Sequence, residues 1–156
     1  MARMGVFKIA TLSINGLASW TKMAMLEDFL RREEIDILLL QEITHPNFDA
    51  FLSYKTYINV GTVGRVTALV SRDEIKITNV TRQPSVRGIA AEYRGMCLAN
   101  IYAPSGAVQR QERECFCNSE LTYLLRASPS SMIVGLDFNC VTNKTTALAN
   151  STIVER

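Results

Sequence analysis

At 156 residues, with 47% apolar and 21% charged residues, the chain is long enough for one domain with a genuine core and too ordinary in composition for disorder. A net charge of +2 announces neither a nucleic-acid nor a membrane partner, although Arg82, Arg87, Arg94, Arg110 and Arg113 make the second half locally basic. No apolar run reaches membrane-spanning length, so no membrane partner is expected. Thr11, Ser13 and Asn15 break the N-terminal apolar run before a signal-peptide core can form, which predicts an intracellular protein.

In chain order, FKIATLSIN (7–15) alternates apolar and polar residues only loosely, as a strand covered on both faces would, and ends at Asn15-Gly16. TKMAMLEDFLRREE (21–34) puts Met23, Leu26, Phe29 and Leu30 on one helical stripe, with Thr21 as the expected N-cap. IDILLLQE (35–42) is too short for another helix and predicts a buried strand ending at Glu42. Residues 56–80 are rich in β-branched side chains with Gly and Asp between them, as hairpins would be. Within them GTVGR (61–65) lacks the Lys-Ser/Thr of a phosphate-binding loop and predicts a hairpin turn.

Two more strands are expected in 89–106, joined at Arg94-Gly95 and closed by Pro104 and Gly106. A second amphipathic helix follows in 108–127, with Cys117, Leu121, Leu124 and Leu125 on its stripe and Ser128-Pro129 as its stop. SMIVGLDFNCV (131–141) predicts the last strand, and TNKTTALANSTIVER (142–156) reads as a poorly ordered tail after a domain spanning 1–141. The four cysteines lack zinc-like spacing and are expected to be reduced thiols. His45 reads as a surface residue beyond the Glu42 strand.

Four apolar segments thus end in Asn15, in Glu42, in the pair Asn100/Tyr102 and in the pair Asp137/Asn139. If these ends converge at one rim of a layered sheet, they assemble oxygen ligands and donors without a Cys/His cluster. Two carboxylates with amides suit a hard cation such as Mg²⁺, bound by one or two carboxylates plus a substrate phosphate. Each residue also has a plainer explanation. Glu42 reads equally as a solvated loop acid, Asn15-Gly16 as a common turn, Tyr102 as an aromatic at the edge of the core, and Asp137 and Asn139 as Asx turns.

Taken together and in this order, TLSINGL, LLLQE, NIYAPSG and GLDFNCV resemble the endonuclease/exonuclease/phosphatase superfamily, and most closely the apurinic-type endonuclease domain of non-LTR retrotransposons. The resemblance implies an α+β fold, a two-layered β-sandwich flanked by helices in four α/β/β/α layers. It implies a nuclease that nicks DNA with Mg²⁺, or Mn²⁺ in its place, and a nuclear location if the chain derives from a retroelement. By motif, Glu42 and Asn15 correspond to the metal-binding positions. Tyr102, Asn139 and Asn15 correspond to the groups that contact the phosphate, and Asp137 with Asn139 and Tyr102 to the catalytic set, Asp137 orienting the nucleophilic water.

The family pattern continues to a late Ser-Asp-His motif with no counterpart in this sequence, so the fold is expected to be incomplete at its C-terminus and activity impaired. Leu136 and Val66 also stand where relatives commonly carry glycine. A non-catalytic remnant that binds nucleic acid, or a phosphatase of the same superfamily, are the alternatives.

Overall fold

The computed structural model describes residues 6–44, 51, 53–59, 66–106, 109–126 and 131–139. Strand β1 (Ile9–Ser13) lies parallel to β2 (Ile37–Ile43). The hairpin strands β3 (Tyr54–Ile58) and β4 (Val66–Arg72) complete a first sheet of order β1-β2-β4-β3. The chain then crosses to a second sheet: β5 (Thr78–Arg82), β6 (Gly88–Tyr93), β7 (Met96–Tyr102) and β8 (Met132–Asp137) lie side by side in chain order, with β8 parallel to β7. Residues 56–80 therefore hold one hairpin and one strand of the other sheet, rather than hairpins throughout.

The β6–β7 connection is a two-residue turn in which Arg94 and Gly95 both have positive φ, +50° and +76°. Two successive left-handed residues give the turn the twist of the flanking strands.

Side-chain alternation produces the layers. Ile9, Ile37, Leu39 and Leu69 of the first sheet meet Ala91, Tyr93 and Leu98 of the second, forming the inter-sheet core. Their neighbours Ala10, Leu38, Leu40, Ala68 and Val70 face the other way and are covered by Leu26 and Leu30 of helix α1 (Trp20–Arg32). On the far side, Ala99, Ile101 and Ala103 are covered by Phe116 and Leu124 of a second helical segment. The outcome is the expected α/β/β/α sandwich.

Helix α1 begins two residues earlier than expected. Ser19, not Thr21, is its N-cap: Ser19 is extended and its hydroxyl accepts from Lys22 N at 3.2 Å. Ser19→Ala is expected to lower stability by about 1 kcal/mol, whereas Thr21→Ala should stay within about 0.5 kcal/mol of the parent in urea unfolding.

The second helical segment is not one regular helix. It is α2 (Arg110–Phe116), a π-helical turn at Cys117–Leu121 and α3 (Thr122–Arg126). The Thr122 hydroxyl donates to the Cys117 carbonyl five residues back, at 2.8 Å, which suits the wider turn. The wide turn shifts the phase of the stripe: Phe116 enters the core, Cys117, Leu121 and Leu124 stay on it, and Leu125 is turned out to 45% exposure.

At the end of the sandwich away from the strand ends of β1 and β2, Tyr54 is buried and its hydroxyl donates to the Ile35 carbonyl. Burial raises its phenol above the ordinary value of 10.0, an effect partly offset by the Arg72 guanidinium. The folded protein keeps this proton to higher pH than the unfolded chain does. Stability is therefore expected to be intact below pH 10 and to fall as pH rises beyond it. Urea titrations of Tyr54→Phe should show a shallower alkaline fall than the parent.

His45, the 61–65 turn, Cys140 and the 142–156 tail lie outside the described residues.

Candidate active site at the strand-end rim

The parallel pairs β1/β2 and β7/β8 end at the same edge of the sandwich. On β2, regular alternation points Leu38 and Leu40 toward α1 and Leu39 toward the second sheet. By that rule Gln41 faces the second sheet and Glu42 faces away. The ladder to β4 is irregular between Leu40 and Ile43, however, and Glu42 adopts φ +59°. A bulge with a left-handed residue re-aims a side chain at the expense of about 1 kcal/mol or more of strain. Glu42 is thereby turned into the space between the sheets, where the Tyr102 hydroxyl donates to Oε1 at 2.8 Å and the Ser13 hydroxyl to Oε2 at 2.9 Å.

Tyr102 is only 1% exposed and reaches across from the end of β7. Its register partner on β8 is Asp137, and the Ala103 amide donates to the Asp137 carbonyl at 2.8 Å. Register partners in a parallel ladder share a face. The face is confirmed two residues earlier, where a Cβ on Gly135 would lie 2.6 Å from Leu39 Cδ1 of the first sheet. Asp137 therefore faces the same gap as Tyr102, and the carboxylates of Glu42 and Asp137 border one rim. Leu136, where a glycine was expected, points instead to the helical side against the Ala99/Phe116 cluster. The close approach of the two sheets falls at Gly135.

Asp137 and Asn139 form the Asx turn that their spacing allowed, with the Asn139 amide donating to Asp137 Oδ1 at 3.0 Å. The side-chain amide of Asn139 donates to the Ala103 carbonyl at 2.6 Å, and its φ is +50°. These bonds tie the ends of β7 and β8 together and leave Asp137 and Asn139 half-buried at the opening.

Asn15 occupies the opposite lip of the rim with an exposed side chain and φ +48°. Its loop is held by Gly16 N donating to the Glu42 carbonyl at 2.7 Å and Ile14 N to the Gln41 carbonyl at 3.1 Å. The Lys22 ammonium contacts the carbonyls of Ile14, Asn15 and Gly16 at 3.5, 3.3 and 3.1 Å. Asn100, grouped with Tyr102 as a strand-end residue, is not at the opening: it is 0% exposed and points into the inter-sheet interior.

Glu42, Tyr102, Asp137 and Asn139 are thus brought together, with Asn15 on the adjoining loop. Ser13 was missed from sequence because one hydroxyl in an alternating strand carries no signal. Only the phase of β1, which puts Ile9, Thr11 and Ser13 on the inter-sheet side, could have pointed to it.

Solved structures share this arrangement of layers. The 3′ phosphatase NExo from Neisseria bound to a product DNA hairpin superposes with a TM-score of 0.71 at 19% identity, over 88% of this chain and 60% of that one. An AP endonuclease from Archaeoglobus fulgidus gives 0.65 at 19% identity, over 79% and 52%. D. rerio TDP2 complexed with a single-strand DNA product gives 0.66 at 20%, over 87% and 62%. The fold is that of the endonuclease/exonuclease/phosphatase proteins. No protein-family model matches the chain, and no curated protein sequence matches it. The chain spans between half and two thirds of the length of these three endonuclease/exonuclease/phosphatase-fold structures.

Proposed function

We propose that this chain is a divalent-metal-dependent phosphodiesterase of the DNA-endonuclease type, and that its nearest functional kin are the nicking nucleases of non-LTR retrotransposons. The observation that carries the reading is the Glu42–Tyr102 hydrogen bond across the two sheets, Tyr102 being the register partner of Asp137. The donor set fits a hard cation. It offers carboxylate, amide and hydroxyl oxygens, and the two Glu42 oxygens accept from the Tyr102 and Ser13 hydroxyls. Among the described residues no group of three acidic, His or Cys side chains is close enough to form a complete cage. Mg²⁺ keeps several waters and uses one or two carboxylates together with substrate phosphate.

In this reading Glu42, with help from Asn15, would hold the cation, whose chemistry when bound would be to neutralise charge on the phosphoryl oxygens. Asp137, held by the Asn139 amide, accepts a proton from the attacking water as the new P–O bond forms and the bond to the leaving oxygen breaks. Asn139 and Asn15 face the phosphate from the two lips, and Tyr102 orients Glu42 beneath it. DNA is the substrate, and a retroelement-derived copy would act in the nucleus.

The test is relaxation of supercoiled plasmid with Mg²⁺ or with a chelator, beside Glu42→Ala. Mg²⁺-dependent nicks that vanish in the variant support the reading. Equal nicking by parent and variant marks a contaminating nuclease and removes the support, while DNA binding without any nicking favours the non-catalytic remnant.

A further inference from the structure

Directly beneath the rim, Gln41 and Asn100 form a polar bridge between the two sheets. Both are buried, at 2% and 0% exposure. The Gln41 amide donates to Asn100 Oδ1 at 2.5 Å, to Thr11 Oγ1 at 2.9 Å and to the Leu39 carbonyl at 3.4 Å. The Asn100 amide donates in turn to the Leu40 carbonyl at 2.9 Å and to the Ala68 carbonyl at 2.7 Å.

The two carbonyls that Asn100 binds identify its task. Leu40 and Ala68 are register partners, and theirs is the last regular rung of the β2–β4 ladder before pairing resumes at Ile43 and Val66. The amide from the opposite sheet therefore clasps both strands where their ladder gives way. Two buried amides are a hazard for a core unless each finds partners, because a half-satisfied network is worse than an apolar one. A leucine pair would fill this space without that risk. The amides instead specify one local backbone: Gln41 keeps its inward direction, and the extra residue that follows it, Glu42, takes the left-handed conformation.

We propose that Asn100 and Gln41 are positioning residues that lock the β2 irregularity and so hold the Glu42 carboxylate in the gap between the sheets. The functional part of this inference rests on Glu42 being a metal ligand; the structural part does not. In the absence of the clasp, β2 would pair regularly with β4 and Glu42 would turn toward α1, away from Tyr102 and Ser13.

Asn100→Leu, which keeps the branched shape but removes the hydrogen bonds, tests this with two readouts. The first is hydrogen exchange at the Gly16 amide, which donates to the Glu42 carbonyl. The second is Mn²⁺ affinity by titration calorimetry. Exchange at Gly16 should accelerate relative to the amides of α1, and Mn²⁺ should bind about ten- to a hundred-fold more weakly. Adding Asn100→Leu to Glu42→Ala should weaken Mn²⁺ binding no further, a coupling that general destabilisation would not produce.

A folded Asn100→Leu protein with parental Gly16 exchange and parental Mn²⁺ affinity overturns the inference. A parent protein that does not bind Mn²⁺ overturns the metal reading alone, and Gly16 exchange then decides the clasp. If Asn100→Leu does not fold, Gln41→Met, which retains the Asn100 contacts to both carbonyls, must show the same changes at smaller amplitude, and parental values there reject the proposal.

Discussion

Asp137→Asn is expected to lower Mg²⁺-dependent plasmid nicking by about 10²–10⁴-fold while leaving the protein folded, because it removes a charged proton acceptor and little else. The amide retains an oxygen in place of Oδ1, so the bond from the Asn139 N–H can persist and the turn that carries Asn139 stays in place. The backbone bond from Ala103 N to the Asp137 carbonyl does not involve the side chain. Initial nicking rates at saturating Mg²⁺, beside a thermal melt, separate the two effects. A loss smaller than tenfold would remove Asp137 from the proton-accepting role, and a collapsed melt would point to a structural one.

The largest stability effect is expected at Gly135. In an ordinary strand, glycine to alanine stabilises by about 0.4–1 kcal/mol through the unfolded chain. At Gly135 the sign reverses. A new Cβ would stand 2.6 Å from Leu39 Cδ1, 2.8 Å from Leu39 Cβ and 2.9 Å from Thr11 Oγ1. Leu39 Cδ1 can rotate away, but its Cβ is fixed to a strand whose neighbours on both sides are paired. Relief therefore requires the sheets to separate locally. Gly135→Ala should cost about 1–3 kcal/mol and Gly135→Val more, read as a lower urea midpoint at unchanged slope. Asp137 lies two residues on and faces the same gap, so nicking should fall beyond what the lost stability explains.

The groups at the rim were readable because apolar runs that stop abruptly at a polar residue mark strand ends, and parallel neighbours bring such ends to one edge. Glu42, Tyr102, Asp137 and Asn139 were found this way. The direction of Glu42 was not readable. It depends on a left-handed glutamate, and no Gly or Asn stands there to advertise it. Asn100 misled for a related reason, since an asparagine near the end of a strand suggests an exposed ligand and its buried partners, Gln41, Leu40 and Ala68, come from a different sheet. The stripe on the second helical segment failed at Leu125 because the π turn changes the angular step per residue, which a fixed helical period cannot follow. Ser19 and Thr21 are both good caps, and only the extended backbone at Ser19 decides between them.

The Tyr102–Glu42 bond joins residues on facing layers, so the width of the opening is gauged by the filling between them. Side chains such as Leu39, Leu69 and Leu98, which never touch the opening, act as spacers for it. Trimming one of them would let the walls settle closer together and enlarging one would spread them, changing the width of the cleft. Tuning by interior bulk, rather than by exchange of rim residues, is accordingly a route by which one framework can vary the gap between its layers.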